Sequence, residues 1–333
     1  MNETPTDVRS ESVHPHVLVI ASRYDLTCDY VIAQLRRRSI PYLRLNSEDL
    51  SASAIELDPV QRRLVIERSG RKYVVTPCSL RSVLFRRPVY LRDYGADHRS
   101  PAERFSRLQW SAFVQNLMLF DEARWYNDPV ATYRAEHKAV QLSIAARLGF
   151  SVPATRVTNA PHVHSFGESA KRIAIKGLDT VLLRTDGYEM FGFTTFDTAD
   201  RLDPDAWRAA PGTIQIALVD KLDIRVTVIE KQVFSASITA SGAPLMDDWR
   251  THKRDVQFRA FDLPRVTRER CQNLVEFLGL RFGGIDLALC DGEYYFLEIN
   301  PTGEWAWLVD AAGLPIDEAI AEALSREAEF DVG

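Results

Sequence analysis

Short apolar runs bounded by polar turns punctuate the first third of the chain and read as strands. They are Val17-Leu-Val-Ile-Ala21, Pro41-Tyr-Leu-Arg-Leu45 and Ser82-Val-Leu-Phe-Arg-Arg-Pro88. Between the first two, Val31, Ile32 and Leu35 recur at helical spacing and predict a helix over residues 26–38. A β-α-β opening predicts a parallel sheet. Shorter β-like runs follow at 55–57, 64–67 and 73–76. Residues 101–122 place Phe105, Leu108, Ala112, Phe113, Leu117 and Phe120 at helical intervals, which predicts a long helix with its aromatics in a core. Turn-rich Trp125-Tyr-Asn-Asp-Pro129 marks a domain boundary. Beyond it a helix is predicted over 132–148, with Gly149 as C-cap and Pro153 past it. Residues 154–214 read as a small β-rich unit. Strands at 214–217, 224–229 and 233–238 follow, then a helix over 266–279 with Cys271, Leu274, Val275 and Leu278 inward, and a last helix over 316–328.

One apolar pair of strands breaks its own pattern. Phe282-Gly-Gly-Ile-Asp286 and Phe296-Leu-Glu-Ile-Asn300 carry Asp286, Glu298 and Asn300 among residues suited to burial. Hard oxygen donors of this kind suit Mg²⁺, which is usually shared with nucleotide phosphates. Side chains alternate faces along a strand, so Glu298 and Asn300 share one. Asp291-Gly292 is a hairpin signal. A two-residue loop there pairs Asp286 with Leu297 and sends it to the face opposite Glu298. The metal reading therefore predicts a loop of odd length.

Composition narrows the field. The chain has 333 residues, 46% hydrophobic and 26% charged, in the range of ordinary globular proteins and long enough for two or three domains. A net charge of −5 gives no polyanion-binding signature, so no nucleic-acid partner is expected. No apolar run reaches the ~20 residues that span a bilayer, and no membrane role is expected. The polar start, MNETPTDVRSESVHPH, reads as a disordered lead-in without a signal peptide's apolar core. Cys28, Cys78, Cys271 and Cys290 are scattered without metal-ligand spacing, which predicts reduced thiols and a cytoplasmic location.

Cations accompany the oxygen donors. Lys138 lies on the predicted helix before the β-rich unit and Lys176 ends a strand inside it. Arg225 sits in Leu222-Asp-Ile-Arg-Val226, and Arg250 in Asp247-Asp-Trp-Arg250. Singly, each reads as a solvated charge; together with a Mg²⁺ site they suit a triphosphate. GxxxxGK[ST], paired HRD and DFG, GxSxG and HExxH are all missing from the sequence.

The order of these parts resembles the ATP-grasp superfamily, from about residue 15 to 328. Within it the chain resembles the maturases of graspetides (the microviridin-type ligases). The resemblance rests on Ser82–Pro88, Lys138-Ala-Val-Gln-Leu142, Val152-Pro-Ala-Thr155, Asp223-Ile-Arg-Val-Thr227, Asp248-Trp-Arg250, Phe282–Asp286 and above all Leu297-Glu-Ile-Asn-Pro-Thr-Gly-Glu-Trp305. It implies an α/β protein of ATP-grasp fold. The expected parts are an N-terminal α/β domain over 15–126, a central domain with a mobile lid over 127–214, and a C-terminal α+β domain over 215–330. Carried over by position, Lys138 and Lys176 contact ATP phosphates, and the hinge Gln215, Ile216, Ala217 and Leu218 holds adenine. Asp223 holds the ribose and Arg250 faces the γ-phosphate. Asp286, Glu298 and Asn300 bind Mg²⁺, while Arg225 stabilises an acyl phosphate or orients the acceptor. Many relatives have Glu and an aromatic after the hinge glutamine, where this chain has Ile216 and Ala217.

The implied reaction activates Asp or Glu side chains of a ribosomally made precursor peptide as acyl phosphates. Ser, Thr or Lys side chains of the same peptide then close macrocyclic esters or amides. An acidic core peptide calls for a basic surface, for which Arg86, Arg87 and Arg92 are candidates, whereas Arg36–Arg38 read as a solvated face. A homodimer is expected. Two competing readings are a ligase joining a free amino acid or small amine to a carboxylate, and a catalytically inactive nucleotide-binding scaffold.

Overall fold

The computed structural model describes residues 12–86, 100–160, 172–178, 182–185, 188–191, 194–198, 201–240 and 256–326. Arg87, Arg92, Arg250 and the lead-in up to residue 11 lie outside them. The chain divides into two compact units. One comprises Met1–Arg87, Glu103–Pro129 and Asp317–Gly333, the other Pro88–Ala102 and Val130–Ile316.

The first unit is built on the expected parallel sheet. Its strands run in the order Tyr42–Asn46, Val17–Ala21, Ser82–Phe85, Arg124–Tyr126. Val17–Ala21 is buried along its whole length, as a strand covered on both faces must be. The helix Leu26–Arg37 starts at Asp25, whose carboxylate accepts from the Cys28 amide, and it buries Cys28, Val31, Ile32 and Leu35. Arg36, Arg37 and Arg38 are exposed, as expected of a solvated face. Ala54–Asp58, Arg63–Arg68 and Arg71–Val75 form a separate antiparallel sheet. The helix Ile316–Ser325 returns to this unit: Ser82 Oγ donates to Leu324 O at 2.7 Å and Gln34 Nε2 to Asp317 Oδ2 at 2.7 Å.

Two helical expectations need correction. The helix Pro101–Asn116 forms, but of its residues only Val114 is buried, while Phe105 and Leu108 are 65% and 58% exposed. Its apolar stripe is real, yet nothing among the described residues covers the first turns. The helix expected over 132–148 is two helices, Pro129–Ala135 and Lys138–Arg147, separated where His137 adopts extended backbone. The break makes Lys138 the first residue of its helix. Gly149 follows with φ 84°, the left-handed position that glycine takes readily. The helices Pro204–Arg208 and Ala306–Ala312 were not foreseen.

The second unit carries a five-stranded antiparallel sheet in the order Val256–Ala260, Gln232–Ala240, Leu222–Ile229, Phe282–Cys290, Glu293–Asn300. A four-stranded antiparallel sheet orders Thr195–Asp197, Ile173–Lys176, Gly212–Ile216, Thr155–Thr158. Leu182–Thr185 and Tyr188–Phe191 pair as a hairpin. The five-stranded sheet has one apolar face. Ile224, Val226, Val228, Ile285, Leu287, Phe296 and Ile299 form one core with Ile144, Cys271, Leu274 and Val275 of the helices Lys138–Arg147 and Arg265–Phe277. Each such side chain contributes roughly 1.5–3 kcal/mol on burial. Alternation then leaves the opposite face to Asp223, Arg225, Asp286, Glu298 and Asn300.

Candidate active site

The expected odd-length loop is not present; a bulge does its work. Cys290 pairs with Glu293, so Asp291-Gly292 is a two-residue turn, and both residues have positive φ. Pairing continues to Leu287 opposite Phe296, then shifts by one residue, so that Asp286 faces Glu298 and Gly284 faces Asn300. Leu297 is the extra residue. A bulge sets two residues against one and reverses the facing downstream. Both carboxylates thereby share a face, as the metal reading required. Arg225 faces Asp286 on the other side, so Arg225, Asp286 and Glu298 form one row across three strands.

The row is ion-paired along its length. Arg225 Nη1 donates to Asp286 Oδ1 at 2.8 Å, and Lys138 Nζ lies 3.6 Å from Glu298 Oε2. Asn300 Nδ2 donates to Glu298 Oε1 at 3.4 Å. Arg225 is only 5% exposed and its Nη2 donates to Glu304 O at 3.1 Å, while its Nε is buried with no partner among the described residues. A Cβ on either Gly284 or Gly303 would lie 2.6 Å from Arg225 Nη2, so two glycines bracket the guanidinium. Sequence reasoning missed this bracket, although glycine inside a strand often marks a close approach.

Around the row, Lys221 Nζ donates to both oxygens of Asp223 at 2.5 Å, a buried pair that the sequence reading had not singled out. Lys176 Nζ donates to Gln215 Oε1 at 2.9 Å, Gln215 Nε2 to Thr155 Oγ1 at 2.9 Å, and Thr155 Oγ1 to Pro153 O at 2.7 Å. In the hinge, the Ile216 amide donates to Ala154 O and the Ala217 amide to Arg172 O. That leaves the Leu218 amide as the hinge donor without a backbone partner among the described residues.

Three expected residues lie elsewhere or outside the described residues. Arg86 Nε donates to Asp25 Oδ2 at 3.1 Å, with the two side chains 5% and 12% exposed, in the first unit. Its charge is turned inward toward the helix cap rather than offered as a landing surface, because the chain at the end of its strand meets Asp25. Arg87 and Arg250 are not among the described residues.

The donor set fits Mg²⁺. Among the described residues no three His, Cys, Asp or Glu side chains make a closed metal cage. Two facing carboxylates and an amide are the incomplete oxygen set that Mg²⁺ tolerates when phosphates supply the rest. Thiol chemistry has no support here: burial pushes Cys28 and Cys271 up to about 12, and burial with the nearby Asp291 carboxylate raises Cys290.

The second unit thus combines an antiparallel sheet that bears an acidic row with a smaller, lysine-bearing antiparallel sheet. No protein-family model and no curated protein matches the chain. Solved structures do. The macrocyclase MdnC from Microcystis aeruginosa MRC, bound with precursor peptide MdnA, superposes with a TM-score of 0.79 at 24% identity, over 93% of this chain and 99% of that one. A Chryseobacterium gregarium RiPP-associated ATP-grasp ligase, in complex with ADP and a leader and core peptide, gives 0.79 at 22%, over 93% and 96%. ATP-grasp ligase PsnB, complexed with a phosphomimetic variant of a minimal precursor, Mg and ADP, gives 0.71 at 21%, over 94% and 98%. The chain thus has the fold of the RiPP-associated ATP-grasp ligases.

Proposed function

We propose that the chain is an ADP-forming ligase that activates Asp or Glu side chains of a ribosomally made precursor peptide and closes macrocyclic esters or amides. The observation that carries this reading is the row of Glu298, Asp286 and Arg225 on the polar face of the sheet, with the helix-borne Lys138 beside Glu298, in a fold shared with ligases solved with precursor peptides.

Each residue has a role in the proposal. Asp286, Glu298 and Asn300 hold Mg²⁺, which would offset phosphate charge when bound. Lys138, Lys176 and Arg250 meet ATP phosphates. The hinge Gln215–Leu218 receives adenine, with the Leu218 amide as donor, and Asp223 takes the ribose. A substrate carboxylate oxygen forms a bond to the γ-phosphorus as ADP leaves. Arg225 stabilises the resulting acyl phosphate. A hydroxyl or amine of the same peptide attacks the carbonyl, losing its proton and expelling phosphate. Arg87 belongs to the proposed surface for an acidic core, whereas Arg86 serves the scaffold. The proposal takes 127–214 as the domain bearing the lid, over the C-terminal domain 215–330. It also takes the enzyme as a cytoplasmic homodimer. Free cysteines and the lack, among the described residues, of a helix long and apolar enough to cross a membrane agree with the location.

The test is the intact mass of an acidic precursor peptide bearing Ser, Thr or Lys, incubated with enzyme, ATP and Mg²⁺. Loss of one water per link with ADP release is expected, and Glu298→Ala abolishes both. Unchanged peptide mass with ADP release driven by a small amine would replace the reading with the free-amine ligase. No ATP turnover at all would leave only the scaffold.

A further inference from the structure

We propose that Gln141 is a positioning residue that sets the geometry of Glu298, Asn300 and Lys138. The inference rests on the reading of Glu298 and Asn300 as Mg²⁺ ligands. Glu293–Asn300 is the edge strand of its sheet. In an antiparallel ladder, backbone groups alternate between pointing to the neighbour and pointing away. At an edge, the outward groups need another partner.

Gln141 supplies one for a single residue. The Ile299 amide donates to Gln141 Oε1 at 3.0 Å, and Gln141 Nε2 donates to Ile299 O at 2.8 Å. The side-chain amide thus stands in for a neighbouring strand at the residue between the two ligands. The second proton of Nε2 goes to Ala135 O at 2.5 Å, the last residue of the preceding helix. Gln141 is 3% exposed and has every amide group used. One turn earlier on the same helix sits Lys138, 3.6 Å from Glu298.

One side chain therefore fastens three things: the helix break that places Lys138 first, the helix carrying it, and the backbone between Glu298 and Asn300. A plug for an open strand edge would be needed anywhere along the strand. Farther along, the Phe296 amide is instead met by Ser151 O at 2.9 Å. At Ile299 the chain uses a rigid two-point clamp that also reaches the break before Lys138. The chemistry recognised is that of a divalent cation bridging protein carboxylate and nucleotide phosphate, with Gln141 acting through its neighbours and touching neither.

The experiment measures ADP binding to the full-length protein by calorimetry, with Mg²⁺ and then with EDTA, for wild type and Gln141→Met. Outer partners of metal ligands typically contribute about 10–100-fold to metal affinity. The gain in ADP affinity that Mg²⁺ confers should fall by about tenfold or more in the variant, beyond any change in metal-free ADP affinity that a displaced Lys138 brings. A variant that melts earlier yet keeps the full Mg²⁺ gain overturns the inference. Should Gln141→Met fail to fold, Gln141→Glu retains the acceptor for Ile299 and removes both donors; retention of the Mg²⁺ gain in it is equally fatal. If wild type itself shows no gain from Mg²⁺, the metal site fails first and Gln141's role falls with it.

Discussion

Gly284→Ala isolates the position of Arg225 without touching its charge. The added methyl would lie 2.6 Å from Nη2 and 3.0 Å from Cζ of Arg225, inside ordinary van der Waals contact. The guanidinium moves aside only by giving up its present contacts, because Arg225 is buried and hydrogen-bonded through both Nη1 and Nη2. Its hydrogen bonds at 2.8 Å to Asp286 and 3.1 Å to Glu304 O must lengthen. A hydrogen bond to a charged group is worth about 1.5–3 kcal/mol. Replacing glycine at ordinary backbone angles returns about 0.4–1 kcal/mol through the unfolded chain. The net loss of stability is therefore about 1–2 kcal/mol. Turnover should fall further, by about 100-fold, the usual effect of removing one preorganised donor from developing charge. Peptide mass and ADP release report turnover, and a thermal melt reports stability. A Gly284→Ala variant with wild-type turnover would show that Arg225 does not act from the position described, and the catalytic role given to it would have to be withdrawn.

Lys221→Met removes the cation on both oxygens of Asp223; the preference for ATP over 2′-deoxyATP should weaken, and an unchanged preference would take Asp223 away from the ribose. Arg86→Met breaks a buried ion pair, which typically costs about 3–5 kcal/mol; the denaturation midpoint should drop while the KM for precursor peptide holds, and the reverse pattern would return Arg86 to the substrate surface. Cys28 and Cys271 should resist alkylation in the folded protein while exposed Cys78 reacts. Because their folded values are raised from 9.0 to about 12, unfolding releases protons above pH 9. The stability that these buried thiols contribute is thus present in full below pH 9 and is lost as pH rises toward 12, which alkaline denaturation curves would register.

The legible parts of this chain are those where local pattern and global fold agree. Val17–Ala21 and the apolar stripe of Cys271, Leu274 and Val275 could be read directly, because periodicity alone decides their faces. The site was legible as chemistry but not as geometry. Asp286 and Glu298 were visible as misplaced oxygens, yet Asp291-Gly292 argued for the wrong facing, since nothing about Leu297 announces a bulge. The helix break before Lys138 was hidden for a similar reason: Ala135, Glu136 and His137 are compatible with continued helix, and the hydrogen bond that Ala135 O accepts from Gln141 comes from a side chain six residues on. Phe105 and Leu108 show the opposite limit, a true amphipathic pattern whose partner the pattern cannot name. Gly303 escaped notice because the side chain it lies against, Arg225, is distant in sequence, and Lys221 because only burial turns its pairing with nearby Asp223 into more than a surface contact.

The bulge at Leu297 separates the hairpin into a stretch that can drift and a stretch that cannot. Toward the tip, Asp291-Gly292 is an exposed two-residue turn, and matched insertions on its two sides would lengthen the ladder outward without altering what faces Asp286. Past the bulge, deletion of Ile299 would set Asn300 opposite Ile285, on the apolar side. Spliced reporter peptides and natural length variation should therefore be tolerated at the tip. Loss of Ile299 should leave a folded hairpin in which Asn300 faces away from the two carboxylates, whereas loss of Leu297 removes only the bulge and keeps Glu298 opposite Asp286.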